Sequence, residues 1–350
     1  MPTTFTSLAQ LRYHGFDTVI DVRSPSEYAE DHVPGAINLP VLSDAERAEV
    51  GTIYKQDSPF TARKRGAALV ARNAADHIEQ SLSHHGGGWK PLVYCWRGGQ
   101  RSGSFTGILQ QIGWRADTVK GGYQTYRKLV QTALYETPLP HRLILLDGNT
   151  GTAKTDILGH LNQLGIQTLD LEGMAGHRGS LLGSTPAGQP SQKGFETRLA
   201  IALGDLDPGR PVVVEAESSK IGRLIVPPQL WAIMREAARI EVSAPLAARA
   251  TYLTGAYADI IADPDRLAQR LQPLRVHRGH EMVDGWLKLL QGGRFEDLAT
   301  ALMAQHYDPA YSKSRDVHEH EVIATLDTDK LDNAGQAQLA SRIAKLISER

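Results

Sequence analysis

The sequence predicts an α/β protein built from two parallel-sheet domains in tandem, the second carrying a helical extension. Three observations predict it. Short apolar strands alternate with helical stretches along most of the chain, the pattern of βαβ units. A stretch with two prolines, Glu136-Thr-Pro-Leu-Pro-His141, interrupts that alternation as a linker does. On each side of it one strand runs directly into a glycine-bearing loop and then a helix: Tyr94-Cys-Trp-Arg-Gly-Gly-Gln-Arg-Ser102 and Gly148-Asn-Thr-Gly-Thr-Ala-Lys-Thr155. The 350 residues allow two domains of ordinary size, placed at 1–135 and 142–350 with 136–141 between them.

In the first block, Asp17 to Val22 reads as a buried strand, and Ser24-Pro-Ser-Glu-Tyr28 opens a helix with Ser24 as its cap and Pro25 at its first position. Val33 to Pro40 is a turn into a short strand. A long helical region follows, with Val70, Ala74, Ile78 and Leu82 recurring every four residues until Gly86-Gly-Gly88 stops it. Pro91 to Tyr94 is the next buried strand, Ser102 to Gln111 its helix, and Asp117-Thr-Val a further strand before a last helix.

In the second block, strands are expected at Leu143–Asp147, Gln167–Leu171, Pro211–Glu215 and Ile240–Val242, and helices at Asp156–Leu164 and Gln336–Ser348, the latter with Leu339, Ile343 and Leu346 on one face. Residues 183–192 are rich in loop formers and read as a mobile surface loop. There is no internal repeat.

Apolar content of 41% and charged content of 22% are those of a folded globular chain. No run approaches the roughly 18–20 apolar residues of a membrane span, and the N-terminus has no basic region followed by an apolar stretch. One cysteine excludes an internal disulfide framework. Together these predict a reducing cytoplasm with no membrane partner, and the chain is expected to be a monomer. With a net charge of −1, nucleic-acid binding would have to come from local patches such as Arg63-Lys-Arg65 or Arg266 to Arg278.

Cys95 stands at a strand end, before Gly98 and Gly99 and a helix start at Ser102, in a setting where backbone N–H groups ring an anion. With Arg97 and Arg101 nearby, the loop could hold an oxyanion or a charged sulfur-family adduct on Cys95; a buried structural cysteine is the plainer alternative. Gly148, Asn149, Thr150, Gly151, Thr152, Lys154 and Thr155 nearly match the phosphate-loop pattern, with Lys154 as point charge and Thr155 as a ligand for magnesium if it binds. Ala153 stands where the pattern has glycine. A methyl group there narrows the cradle or shifts its backbone, which leaves nucleotide and magnesium binding open. The apolar strand Val212-Val-Val-Glu215 ends in an acid; Glu215 or Glu217 could organise magnesium or a water, against the alternative of solvated acids at a strand end. Lys220 and Arg223 could face the same crevice. His177 and Arg178 could meet a phosphate, and Tyr307 and Tyr311 could stack on bases, although packing is the commoner role for each. His318-Glu-His-Glu321 reads as a solvated edge rather than a metal site.

The first block resembles a rhodanese domain, carried by Asp21-Val-Arg23, Ser24-Pro-Ser-Glu-Tyr28, His32-Val-Pro-Gly-Ala-Ile-Asn-Leu-Pro40 and the Cys95 loop. Five residues separate Cys95 from Arg101, one more than in many rhodaneses and the spacing of protein tyrosine phosphatases, so the loop admits a group larger than a sulfane sulfur. Both blocks together resemble the bacterial tRNA 2-selenouridine synthase family, carried by YCWRGGQRS, GNTGTAKT, Leu171-Glu-Gly-Met-Ala-Gly-His-Arg-Gly-Ser180, Gln189-Pro-Ser-Gln192 with Phe195-Glu196, Val214 to Gly222, and His306 to Tyr311. The resemblance implies a rhodanese-like domain followed by a P-loop NTPase-like domain. It also implies a transferase acting on the wobble uridine of the tRNA anticodon loop, with no tightly bound cofactor. The 2-thio group would be geranylated from geranyl diphosphate, and selenium from selenophosphate, or handed over by its synthase, would replace the geranylthio group. Cys95 would carry selenium as a selenenylsulfide, with Arg97 or Arg101 stabilising charge. Two other readings stand beside it: a cysteine-dependent phosphatase or sulfurtransferase with a regulatory nucleotide module, and a nucleotide-gated adaptor with an inert rhodanese domain.

Overall fold

The computed structural model describes residues 2–315 and 321–349. His318 and His320 therefore lie outside the described residues. The chain forms two compact units, Met1–Thr137 with Pro190–Gly204, and Pro138–Gln189 with Asp205–Arg350.

The first unit is built on one parallel sheet. Its sheet has four parallel strands in the order β2-β1-β3-β4, where β1 is Thr18–Asp21, β2 Ile37–Asn38, β3 Pro91–Tyr94 and β4 Asp117–Thr118. Every residue of β3 is buried, as the uninterrupted apolar run requires of a strand covered on both faces. Leu69, Val70, Ala74 and Leu82 from the long helical region pack on Val93, Phe105 and Leu109, with Ile78 partly buried beside them. The region is a pair of helices, Asp44–Gln56 and Pro59–His77, each opened by a serine cap, Ser43 and Ser58. Arg23 is fully buried beneath the sheet end: it pairs with Asp21, donates to the Asp31 carbonyl at 2.7 Å, and lies 3.9 Å from the Tyr123 ring.

The first unit is not continuous in sequence. Residues of Gln192–Asp205, a helix that follows the phosphate loop by some forty positions along the chain, pack in it. The reason is a buried carboxylate: Glu196 is 2% exposed, and Arg127 and Tyr135 both donate to it. Phe195 is fully buried and Thr197 accepts a bond from the Tyr126 hydroxyl at 3.0 Å.

The second unit holds a five-stranded parallel sheet in the order β11-β10-β5-β7-β6, with β5 Leu143–Gly148, β6 Gln167–Leu169, β7 Val212–Glu215, β10 Ala238–Ser243 and β11 Val322–Asp327; a small antiparallel pair, β8 Lys220–Ile221 and β9 Leu224–Ile225, follows β7. The chain fills one side of β5 with β6 and β7 and the other with β10 and β11. The strand order thus reverses at β5, and a crevice opens at the C-terminal ends of β5 and its neighbours. Helix Asn333–Ser348 covers one face through Leu339, Ala340, Ile343 and Ile347, while Leu346 is only partly buried. A helical layer from Leu246 onward has its own core around Trp286, Leu271, Leu298 and Leu302.

Several boundaries differ from the sequence reading for local reasons. β6 stops at Leu169 because the Asp170 side chain accepts from the Gly173 N–H and caps a short helix, Leu171–Ala175. The helix after the phosphate loop begins at Lys154, two residues early. The segment expected as a mobile loop is exposed only at Pro186, Ala187 and Gly188. Leu182 and Gly183 are buried, and the Gln189 side chain donates to the Ile221 carbonyl at 2.9 Å and accepts from the Arg223 N–H at 2.8 Å. Strand β11 escaped the reading because its apolar run, Val322-Ile-Ala, is cut short by Thr325, and at the sheet edge only Leu326 is buried. No helix among the described residues is long and apolar enough to cross a membrane.

Candidate functional site

Each unit presents one site at the C-terminal end of a sheet strand. In the first, Cys95 directly follows β3 and is 4% exposed, its sulfur accepting from the Ser102 hydroxyl at 3.3 Å. Gly99 adopts φ +77 and leads into the helix Gln100–Ile112. No backbone acceptor for the N–H groups of Arg97, Gly98 or Gly99 is found among the described residues, as suits a loop shaped for an anion. Arg97 is exposed at the rim. Arg101 is turned aside: its guanidinium donates to Glu27 at 2.9 Å. Burial pushes the Glu27 carboxyl up, but Arg101, the Ser24 N–H and Arg47 outweigh it and hold it below the usual range.

Behind the loop, the Tyr123 and Gln124 N–H groups donate to the Cys95 and Trp96 carbonyls at 2.8 and 3.1 Å. Only glycine permits this approach at Gly122, where φ is +57 and a Cβ would lie 2.3 Å from the Cys95 carbonyl oxygen. Gly122→Ala is expected to destabilise the first unit by roughly 2–4 kcal/mol, read as a lowered denaturant midpoint. A midpoint equal to wild type would show that the loop does not need the close approach.

In the second unit, the loop Gly148–Lys154 follows the central strand. A Cβ at Gly148 would meet Thr152 Oγ1 at 2.5 Å and the Val242 carbonyl at 2.8 Å, and Gly151 has φ +86. Ala153 has φ +58, alone among described non-glycine residues in a left-handed conformation. The loop therefore keeps the backbone glycine would take, and the alanine methyl is tolerated by burial among apolar neighbours rather than by a shift of the loop. The Lys154 ammonium donates to the Gly148 carbonyl at 2.9 Å. Burial pushes its pKa down, yet the nearby Tyr311, Glu172, Glu217 and Asp147 outweigh that and raise it, so the lysine is held charged.

Glu172 is the site residue that sequence reasoning did not single out. Its Oε2 accepts from Thr155 Oγ1 at 3.1 Å, and it shares a hydrogen bond with Glu217. Burial and the charge of Glu172 push Glu217 up to about 8, against the pull of Lys154. Glu215 is fully buried rather than solvated, accepts from the Leu171 N–H at 2.9 Å, and is pushed far up, chiefly by burial and then by Asp170 and Glu172. Glu217 binds its proton more tightly in the folded state than in the unfolded chain, so the stability this gives is complete below about pH 4.5 and is lost as pH rises towards 8. Glu217→Gln should flatten that part of a stability-versus-pH curve; an unchanged slope would refute the shared proton.

A cleft of about 1090 Å³ lies beside the loop, lined by Lys154, Thr155, Glu172, His177, Arg178 and Tyr257 among others. Burial, with Arg270 and Arg178, keeps the His177 ring neutral at lower pH than usual, outweighing Glu172. Arg223 does not line the cleft: its guanidinium donates to the Gln189 carbonyl at 2.7 Å, and Lys220 is exposed on β8. Tyr311 lies with its ring 5.9 Å from the Lys154 ammonium, and Tyr307 lines an apolar cavity, so neither is a free stacking platform.

A family model described as a rhodanese-like domain matches residues 4–129, and one described as the tRNA 2-selenouridine synthase AAA domain matches residues 141–272. A protein named tRNA 2-selenouridine synthase from Nitrosomonas europaea is 34% identical over 258 residues, covering 73% of this chain; the match spans 66% of that relative's length. One of the same name from Pseudomonas syringae pv. tomato is 32% identical over 327 residues, covering 85% of this chain and 88% of that relative. Among solved structures, a rhodanese-related protein from Thermoplasma volcanium is 19% identical with a TM-score of 0.23, covering 36% of this chain and 90% of that one.

Proposed function

Because this chain belongs to the tRNA 2-selenouridine synthase family, we propose that it converts 2-thiouridine in tRNA to 2-selenouridine, by S-geranylation followed by selenation. The observation that carries the reading is the pairing in one chain of a cysteine-bearing anion loop with a phosphate loop whose lysine is held charged.

In the first step the thiocarbonyl sulfur attacks C1 of geranyl diphosphate, the C–O bond breaks, and the uracil N3 proton is lost. The diphosphate leaves into the Gly148–Thr155 loop, where Lys154 and the backbone N–H groups meet its charge. In the second step selenium from selenophosphate attacks C2, the geranylthio group leaves as a thiol, and the Se–P bond goes to phosphate with water. S-alkylation makes this exchange feasible, because a thiolate leaves where a thiocarbonyl sulfur does not. Selenophosphate selenium is already at the selenide level, so a selenenylsulfide on Cys95 would need an oxidant; we assign Cys95 instead to seating selenophosphate for that attack, with Gly98, Gly99 and Ser102 cradling the anion and Arg97 at the rim. Arg101, held by Glu27, acts there only after that pair opens, which also counts against the phosphatase reading. Thr155, Glu172 and Glu217 are oxygen donors that fit magnesium once the shared proton is lost, and the ion would neutralise the diphosphate.

The test is a two-stage incubation of 2-thiouridine RNA, first with geranyl diphosphate and then with selenophosphate, read as nucleosides by mass. S-geranyl and then seleno products are expected in turn. Neither product from folded protein, with turnover of an aryl phosphate instead, would replace this reading by the phosphatase.

A further inference from the structure

Two exposed aromatic rings and three unpaired cations gather at the tip of a helical hairpin in the first unit. The helices Asp44–Gln56 and Pro59–His77 are joined by a two-residue turn. The Asp57 N–H donates to the Ile53 carbonyl at 3.0 Å and ends the first helix, and the Ser58 hydroxyl accepts from the Thr61 N–H at 3.1 Å and opens the second. Around that turn the chain reads Tyr54-Lys-Gln-Asp-Ser-Pro-Phe-Thr-Ala-Arg-Lys-Arg65, four bases against one acid. Tyr54 is 58% exposed and Phe60 65%, and the core of the unit is built without either ring.

Most of these cations are free. Arg65 is held by Glu49 at 2.6 Å, but Lys55, Arg63 and Lys64 form no ion pair among the described residues. Arg63 Nε donates to the Pro59 carbonyl at 3.2 Å, and the Lys64 ammonium lies 5.1 Å from the Phe60 ring centre. Exposed rings interleaved with free cations suit single-stranded nucleic acid, which stacks its bases on the one and sets its phosphates against the other. A protein or lipid partner calls for a continuous apolar patch, whereas the exposed Gln56 and Asp57 lie between the two rings in the chain. In the other basic run, Arg275 pairs with Asp284 and Arg278 donates to the His306 ring at 3.0 Å, so those charges are engaged.

The hairpin also reaches the cysteine loop. Arg47, at the start of the first helix, lies 3.1 Å from the Glu27 carboxylate that holds Arg101. From Arg47 to Tyr54 the helix advances about 10 Å, which is roughly three stacked nucleotides. We propose that the hairpin tip docks the single-stranded anticodon loop of the tRNA, with unpaired bases stacked on Tyr54 and Phe60 and backbone phosphates against Lys55, Arg63 and Lys64. The inference rests on the substrate being tRNA, as proposed above, and names the surface that grips it.

Fluorescence anisotropy tests it, with the full-length protein and a dye-labelled anticodon stem-loop RNA carrying 2-thiouridine, titrated at several salt concentrations. Lys55→Ala/Arg63→Ala/Lys64→Ala should weaken binding at least about 10-fold and lower the slope of log affinity against log salt by about 2, at roughly 0.7 per phosphate contact. Tyr54→Ala/Phe60→Ala should weaken binding at least about 10-fold with the slope unchanged, and Tyr54→Phe/Phe60→Tyr should keep wild-type affinity. All five side chains are exposed, and a denaturant midpoint equal to wild type checks that each variant is folded. Wild-type RNA affinity in either alanine variant, or a loss confined to binding of anionic lipid vesicles, would overturn the inference. If such variants still make the S-geranyl and seleno nucleosides, tRNA docks elsewhere and the proposed function stands. If the wild-type protein neither binds nor modifies the RNA, both fall.

Discussion

Replacing Cys95 by alanine should abolish selenium incorporation, by at least roughly 10³-fold, while S-geranylation of the same RNA proceeds near the wild-type rate. Cys95 is the only thiol in the chain, so no neighbour can substitute for it. Its sulfur touches the Ser102 hydroxyl inside a packed core, and alanine removes one atom and one acceptor there. That costs on the order of 1–2 kcal/mol, which a compact domain survives; circular dichroism with an unchanged diphosphate affinity would establish that the variant is folded. Loss of both steps together in such a folded variant would defeat the division of labour between the two loops. So would full selenation.

Lys154→Ala should do the reverse. The ammonium sits among Glu172, Glu217 and Asp147, the last also paired with Arg239, and its removal takes a positive charge from the face that meets the incoming diphosphate. Geranyl diphosphate affinity should fall at least about 10-fold and geranyl transfer about 10²-fold, while RNA already carrying the S-geranyl group is selenated normally. Lys154→Arg should not restore transfer, because a planar guanidinium cannot occupy the place of a compact ammonium against the Gly148 carbonyl. The two alanine variants therefore complement each other when used in sequence: Cys95→Ala makes the S-geranyl RNA that Lys154→Ala then converts. Unchanged diphosphate affinity in Lys154→Ala would remove the phosphate-cradle role.

Both loops were legible in the sequence because each is local: a strand, a glycine turn and a helix start lie within ten residues, and the chemistry sits inside that window. What escaped depends on distance. Glu172 lies in a short helix whose only sequence signal is Asp170 as a cap, and its place beside Thr155 and Glu217 is fixed by the pairing of β6 with β7. Glu215 reads as an ordinary acid after three valines; that it is buried follows from β7 lying between β5 and β6. Arg101 has the right spacing from Cys95 for an anion ligand, but spacing cannot reveal that Glu27, 74 positions earlier, holds it.

The return of residues 190–204 to the first unit has a consequence for how the molecule is made. The Cys95 unit emerges from a ribosome with Arg127, Tyr126 and Tyr135 in place, but the carboxylate and hydroxyl that receive their bonds come some sixty to seventy residues later. Between those moments the chain must spin out the phosphate loop and the strand after it. The first unit therefore cannot finish folding by itself in order of synthesis, and a fragment cut at the proline linker would carry Arg127 with no counter-charge. Birth order ties the two units together: the Cys95 unit is completed only after the phosphate loop has been made.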